Sequence, residues 1–244
     1  MKKRYENPPI LDGYKHVEGK WYNGFVIERC TDGSQFVWVP VGCLDDDGTL
    51  DGKHFNEKFG RRKYLKDIFS NTEYNEPLTE ELLAQKESVE KYGGFYISRY
   101  NISKSADGKP QTVKDCMPWV NINYENAQQV SADFEHNEVV KSHLIFGAEY
   151  DSALAWLIKS GVVTLEEVVT KTSVHSQGST NNICNFVNDT IVDIWTQEKN
   201  ARFGRVVRGG SCYSVKGDCI AKRDYFYPSS CFSDTGFRVV LYIK

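Results

Sequence analysis

The final ten residues, Thr235-Gly-Phe-Arg-Val-Val-Leu-Tyr-Ile-Lys, constrain the fold most. Phe237, Val239, Leu241 and Ile243 alternate with Arg238, Val240 and Tyr242. Successive side chains of a strand point to opposite faces, so this period of two predicts a strand with one face buried. The end of the chain is therefore built into a sheet. Earlier in the sequence, Gly24 to Pro40 holds two β-rich runs on either side of Asp32-Gly33, a dipeptide that tolerates the positive φ of a tight hairpin. Phe95-Tyr-Ile-Ser-Arg-Tyr reads as a further strand.

Helical segments lie between these strands. Leu78 to Tyr92 has Thr79 as its N-cap, Leu82, Leu83 and Val89 on one side, and Gly93-Gly94 as its stop. Asn123 to Phe134 is amphipathic and carries Ala127, Val130 and Ala132, and Phe146 to Ser160 is a more apolar helix ended by Gly161. Gly42 to Asn75 is polar, rich in Gly, Asp and Lys and without periodicity, which predicts a long surface excursion. A second polar stretch surrounds Ser173 to Asn182, and no repeat of solenoid or propeller length is visible. The pattern predicts an α+β chain with short mixed or antiparallel sheets, two or three flanking helices and much irregular loop.

Charge and motif content exclude several classes of function. A formal net charge of −3 leaves no electrostatic footprint for nucleic acid, and the basic cluster from Lys58 to Lys66 carries few charges. The start, MKKRYENPPILDG, is basic but lacks an apolar core, and no run approaches the ~18 apolar residues of a membrane span. The expectation is a protein without signal peptide or transmembrane segment, cytoplasmic by default, virion-associated or exported only by a dedicated pathway. Seven cysteines, an odd number without CxxC pairs, indicate neither a zinc site nor a full disulfide framework. His16, His54, His136, His143 and His175 show neither HxxxH nor HExxH spacing, and no GxSxG, P-loop or GxGxxG motif is present.

Several landmarks occur in an order that resembles the formylglycine-generating enzyme (sulfatase-modifying factor) family. Phe36-Val-Trp-Val-Pro-Val-Gly is similar to its opening strand, Gly94-Phe-Tyr-Ile-Ser-Arg-Tyr-Asn-Ile-Ser to its FYI-x-x-Y-E-V-T segment, and Pro118-Trp-Val-Asn-Ile-Asn-Tyr-Glu-Asn-Ala to a helix entry. His143-Leu-Ile-Phe-Gly-Ala-Glu-Tyr-Asp stands where the family has RLPTEAEWE. Arg208-Gly-Gly-Ser and Gly236-Phe-Arg-Val-Val bracket a loop-rich segment containing Cys219. The resemblance implies a C-type-lectin-like fold of this family's type as a single domain over residues 25–244, with residues 1–24 as an N-terminal extension.

That scaffold hosts oxidases and ligand-binding proteins alike, so the site residues decide function. In the family's oxidases the resemblance implies two copper(I)-binding cysteines after the Gly-Gly-Ser turn, since soft thiolates suit that ion. The corresponding positions here are Ser214 and Cys219. Copper(I) thus belongs only to an alternative reading, an oxidase-like enzyme acting on peptide cysteine, and the expectation is no catalytic residue, no metal site and no cofactor. The family's GNVWEW segment, associated with calcium in some members, corresponds to Asn182 to Glu198, with Trp195-Thr196 kept. Asp189 and Asp193 offer oxygen ligands suited to calcium, or are solvated loop carboxylates. Arg238 is expected to make a structural ion pair or a backbone contact.

The 23 residues between Ser211 and Thr235 hold three cysteines, three Tyr, two Phe, four Ser and three Asp, and no Leu, Glu, Gln or Asn. This mixture is paratope-like: aromatic rings give contact area at low entropy cost, and Ser and Asp give adaptable hydrogen bonds. The segment resembles the variable region of diversity-generating retroelement proteins, where adenine-templated codons become any codon ending in a pyrimidine. Such codons exclude Lys, Glu, Gln, Met and Trp, and all residues of the segment except Lys216 and Lys222 are encodable that way. The resemblance implies a bacterial, phage- or prophage-encoded, non-catalytic protein whose ligand is a protein or other surface molecule. Candidate contact residues within 212–234 are Cys212, Tyr213, Ser214, Asp218, Tyr225, Phe226, Tyr227, Ser230, Phe232, Ser233 and Asp234, held by Gly209-Gly210 and Gly236-Phe237-Arg238. A non-diversified structural paralogue, in which Arg223, Tyr225, Tyr227 and Pro228 pack the scaffold, is the other alternative.

Overall fold

Alternating apolar side chains that fill both faces of a strand require cover on both sides, and the structure supplies it. The computed structural model describes residues 3–4, 7–21, 24–41, 49–50, 59–60, 74–170, 192–200, 203–211 and 219–244. The early strands are β1 (Lys3–Arg4), β2 (Tyr14–Glu18), β3 (Val26–Arg29), β4 (Gln35–Pro40), β5 (Thr49–Leu50), β6 (Tyr74–Asn75) and β7 (Gly94–Ser98). They are followed by β8 (Ser103–Lys104), β9 (Pro110–Gln111), β10 (Val140–Leu144), β11 (Asp193–Asn200), β12 (Arg205–Arg208), β13 (Arg223–Phe226), β14 (Thr235–Gly236) and β15 (Val239–Ile243). Among the described residues the helices are α1 (Glu80–Tyr92), α2 (Tyr124–Asp133), α3 (Gly147–Lys159) and α4 (Leu165–Thr170).

A six-stranded sheet runs in the order β10-β15-β7-β4-β3-β2, antiparallel at every pairing. The second sheet runs β13-β12-β11-β14, with β14 parallel to β11 and β6 paired to the far end of β11. Two short pairs, β1 with β5 and β8 with β9, complete the sheets. The chain is thus α+β with mainly antiparallel sheets, as expected. Residues 14–18 of the expected N-terminal extension form β2, the edge strand beside β3.

Strand periodicity divides the interior into two cores. Val37 and Val39 of β4, Phe95 and Ile97 of β7, and Val240 of β15 face one core, shared with Leu82 and Val89 of α1 and Leu154 and Leu157 of α3. Phe36, Trp38, Tyr96, Val239, Leu241 and Ile243 face the other, with Tyr124 and Ala127 of α2. The expectation that the terminal strand buries one face is therefore corrected. All five residues of β15 are buried, because it lies between β10 and β7 with cover on both sides.

Local signals place the remaining elements. Gly33 takes φ +74° in the turn between β3 and β4, and Asp32 Oδ1 accepts the Ser34 N–H at 3.0 Å. Thr79 Oγ1 accepts the Leu82 N–H at 3.2 Å and opens α1, and Gly93 at φ +90° closes it. Leu82 and Val89 are buried, but Leu83 is 44% exposed and faces solvent, one position off the buried stripe. Glu149 secures the first turn of α3: its Oε2 accepts the Phe146 N–H at 2.7 Å, and its Oε1 lies 2.7 Å from Gln85 Nε2 and 2.8 Å from His143 Nε2. A fourth helix, α4, exceeds the two or three expected. Its signal is the Thr164-Leu-Glu-Glu capping box, in which Thr164 and Glu167 exchange side-chain bonds to each other's backbone N–H.

Gln197 joins the two sheets, its Nε2 donating to Leu144 O at 2.8 Å and its backbone N–H to Ile145 O. Most of the expected surface excursion, residues 42–48, 51–58 and 61–73, and the polar stretch at 173–182 lie outside the described residues. No described helix is long and apolar enough to cross a membrane. The full burial of Leu241 and the exposure of Leu83 set an expected outcome. In denaturant titration Leu241→Ala should lower the unfolding free energy by about 2–5 kcal/mol, and Leu83→Ala by less than about 1 kcal/mol. Equal effects would contradict the placement of Leu241 inside the core and of Leu83 outside it.

Candidate functional site

The C-terminal segment is fastened to the scaffold by charge. Arg208 closes β12 and Arg223 opens β13, and the antiparallel register sets the two residues opposite each other. Asp151 on α3 and Glu198 on β11 lie between them. Arg208 Nη2 contacts Asp151 Oδ1 at 2.7 Å and its Nη1 contacts Glu198 Oε1 at 2.8 Å. Arg223 Nη2 contacts Asp151 Oδ2 at 2.7 Å and its Nε contacts Glu198 Oε2 at 2.8 Å. Each carboxylate bridges both guanidinium groups, which makes a closed, charge-neutral ring. Arg208, Asp151 and Glu198 are fully buried. Burial works against the Arg208 charge, but Asp151 and Glu198 outweigh it and hold its pKa above the ordinary value. The Arg208 guanidinium also lies 4.4 Å from the centre of the Tyr150 ring.

Backbone contacts extend this anchor into the segment. Arg208 Nε donates to Lys222 O at 3.0 Å, the Tyr150 hydroxyl to Ile220 O at 2.9 Å, and the Ala221 N–H to Val168 O at 3.2 Å. Cys219, Ile220 and Ala221 are buried in the first core. Beside the ring, Glu76 caps α3 by accepting the Gly147 N–H and, at 3.1 Å, the Ala148 N–H. Burial raises its carboxyl pKa, the nearby Glu198 adds to the rise, and the two backbone bonds offset only part of it, so it is pushed up to about 8. Gly147 makes room for the ring: a Cβ there would lie 2.2 Å from Glu198 Oε1.

Beyond the anchor the candidate contact residues separate by strand alternation. Phe226 shares the second core's edge with Trp195 (centroids 6.3 Å apart) and lies against Phe232 with centroids 4.4 Å apart and the rings tilted by 47°. Both rings are half-buried. Tyr225 lies on the opposite face of β13, 38% exposed over Gly204, where a Cβ would come 2.9 Å from its ring. Tyr227 is 71% exposed and Ser233 is also exposed. The Ser230 N–H donates to Tyr227 O at 2.9 Å in the following turn, and Asp234 is half-buried, with its carbonyl accepting the Asp193 N–H at 2.9 Å. Phe226 and Phe232 are thus brought together, and Tyr225 is held apart from them. Cys212, Tyr213, Ser214 and Asp218 lie outside the described residues. At the far end, the buried Arg238 makes the expected backbone contact, its Nη1 donating to Ser98 O at 2.7 Å. Burial pushes its pKa down to about 10.

The copper(I) alternative finds a poor donor set. Cys219 is wholly enclosed with Ile220 and Ala221 in an apolar core, and the partner position holds Ser214, whose hydroxyl is a hard donor. Of the calcium candidates, Asp189 lies outside the described residues and Asp193 is half-buried at the start of β11. Among the described residues no group of three or more His, Cys, Asp or Glu side chains is placed to hold a metal ion. The chain matches no family model, no curated protein and no solved structure.

The ring partners Asp151 and Glu198 were not legible as site residues, because charged side chains in a helix and a strand ordinarily face solvent. Asp151 and Glu198 each close one of the landmark segments, His143 to Asp151 and Asn182 to Glu198, and Arg208 opens the Gly-Gly turn, but nothing in those segments pairs the charges. Two expected outcomes follow from the geometry. Arg208→Met leaves two buried carboxylates sharing the single Arg223 guanidinium and should lower unfolding free energy by about 3–5 kcal/mol in denaturant titration, with Gly147→Ala also destabilising by displacing Glu198. A loss below about 1 kcal/mol for Arg208→Met would contradict the ring's structural role. Glu76 titrates near 4.5 when unfolded and near 8 when folded, so its contribution is complete below pH 4.5 and is lost as pH rises through 8. Thermal melts should therefore show Glu76→Gln gaining stability relative to the parent between pH 5 and pH 9. A difference independent of pH would refute the assignment.

Proposed function

We propose that this chain is a non-catalytic ligand-binding protein that displays a diversified segment, residues 212–234, on a C-type-lectin-like scaffold, as the variable proteins of diversity-generating retroelements do. The observation that carries this reading is the contrast within the segment. The backbone from Cys219 to Arg223 is tied to the scaffold by the charge ring and its hydrogen bonds, while Tyr225, Tyr227 and Ser233 expose their side chains. Side chains presented from a fixed backbone can change identity with little effect on the fold. Exposed Tyr with neighbouring Ser supports recognition of a protein or other surface molecule through aromatic anchors in a polar surround. A phage or prophage gene whose product meets foreign surfaces, in a virion or through dedicated export, accords with this use.

Two expected outcomes test the reading. Sequencing the gene across a population of its source should show substitutions concentrated in codons 212–234 at adenine-templated positions, next to a reverse transcriptase gene and a near-identical adenine-rich repeat. An invariant segment with no such neighbour would contradict it. The combined variant Tyr225→Ser, Tyr227→Ser, Ser233→Tyr should keep its unfolding free energy within about 1.5 kcal/mol of the parent, since exposed substitutions each shift stability by about 0.5 kcal/mol. Loss of cooperative unfolding would show instead that these side chains pack the scaffold.

A further inference from the structure

Gly204 is a glycine whose own backbone conformation does not require one. Gly33, Gly93 and Gly209 take positive φ, which side chains with a Cβ avoid, but Gly204 does not. What it supplies is space. A Cβ there would lie 2.9 Å from Cδ2 of the Tyr225 ring and 3.2 Å from the Asn200 carboxamide, so the ring lies close over bare backbone. That backbone is held in place from below. Asn200 Oδ1 accepts the Phe203 N–H at 3.0 Å and the Gly204 N–H at 2.6 Å, and the Asn200 N–H donates to Gly204 O at 3.2 Å. From the other side, the register of β13 on β12 sets Tyr225 opposite the buried Val206, two residues beyond Gly204. Gly204 is buried while Tyr225 stays 38% exposed, so the ring is supported at its base and presented to solvent.

We infer that Gly204 is a positioning residue of the binding surface: it seats a flat ring at position 225 and thereby makes this position work through Tyr or Phe. It rests on the proposed function, which makes Tyr225 a contact residue. The seat itself rests on the spacing of Gly204, Asn200 and the ring. A glycine without positive φ costs conformational entropy and gains nothing from its backbone, so the close approach of the ring is what accounts for it. Any side chain at 204 has to push the ring aside. A ring already held against backbone gives up less side-chain freedom when a ligand covers its exposed part than a ring in open solvent does. Tyr227, 71% exposed, is not opposite this seat, since the register places Val206 and Gly204 on the Tyr225 side. The specificity consequence is a division of labour: an oriented aromatic anchor at 225, beside positions 227 and 233 whose side chains carry the differences between ligands.

The test uses two display libraries of the full chain, one with Gly204 and one with Gly204→Ala. Both are randomised at positions 225, 227, 230 and 233 with pyrimidine-ended codons and selected against streptavidin as probe protein. Small residues at 225 relieve the contact with the added methyl group, so the second library retains folded members. In the Gly204 library, Tyr and Phe at 225 should be enriched about fivefold or more among binders relative to the unselected pool, the scale of an aromatic hot spot. In the Gly204→Ala library that enrichment should fall below about twofold, while the distribution of residues at 227 stays the same in both. A glycine with a merely general structural role would not single out position 225. The inference is overturned, with the proposed function left standing, if the Gly204 binders show no aromatic preference at 225, if the preference persists with Gly204→Ala, if position 227 shifts equally, or if only the Gly204→Ala library lacks binders. Absence of binders from both libraries would remove the proposed function, and the role of Gly204 with it.

Discussion

The ring of Arg208, Arg223, Asp151 and Glu198 is the interaction on which the placement of the segment from Cys219 onward depends. Two guanidinium groups and two carboxylates meet where α3, β11, β12 and β13 converge, and each charge has a partner on two sides. Removing a charge from water is expensive, so a buried ion persists only where pairing and hydrogen bonds satisfy it. A closed neutral ring meets that condition, and opening it at any corner leaves each neighbour short of one partner. The same need for mutual satisfaction fixes geometry. The ring specifies the register of β13 against β12, and with it which face of β13 carries Tyr225 and which carries Phe226.

From this anchor the rest of the site follows by strand geometry. Phe226 turns inward to Trp195, whose Nε1 donates to Ile122 O at 2.9 Å, and Phe232 covers it. Tyr225 turns outward. Downstream the chain re-enters the scaffold through β14 and β15, and the buried Arg238 ties that return to the backbone of β7 at Ser98. The segment therefore leaves and rejoins the fold at fixed points, with its exposed side chains between them. Asn121, ahead of α2, and Tyr124, its first residue, donate their N–H groups to Phe232 O and Pro228 O of the same segment.

Much of this was legible in the sequence where a local rule decides the outcome. The Asp32-Gly33 hairpin, the Thr79 cap, the glycine stops at Gly93 and Gly161 and the period of two in β15 each depend on a few adjacent residues. What failed depended on tertiary cover. Alternation alone predicts one buried face for β15, because it cannot reveal the further core that covers Val240. Leu83 was assigned to a buried stripe that includes Leu82 and Val89 but turns away from it. The short helix α4 is the exception, since its signal is local: Thr164 and Glu167 spell out its capping box. At the site, Tyr225, Phe226 and Tyr227 were grouped by proximity in sequence, whereas adjacent residues of a strand face opposite ways. The charge ring was hidden for a deeper reason: its four members come from four elements, and no spacing in the sequence relates them.

The central claim is that the segment's backbone belongs to the scaffold while its exposed side chains do not. Native-state amide hydrogen exchange tests this most directly. The Ala221 amide, bonded to Val168 O, and the β13 amides paired with β12 should exchange only with global unfolding, as slowly as those of β15, and should keep that protection when Tyr227 and Ser233 are replaced. Exchange of these amides by local opening, at rates well above those of β15, would contradict the claim and make the segment a loose loop instead of a fixed platform.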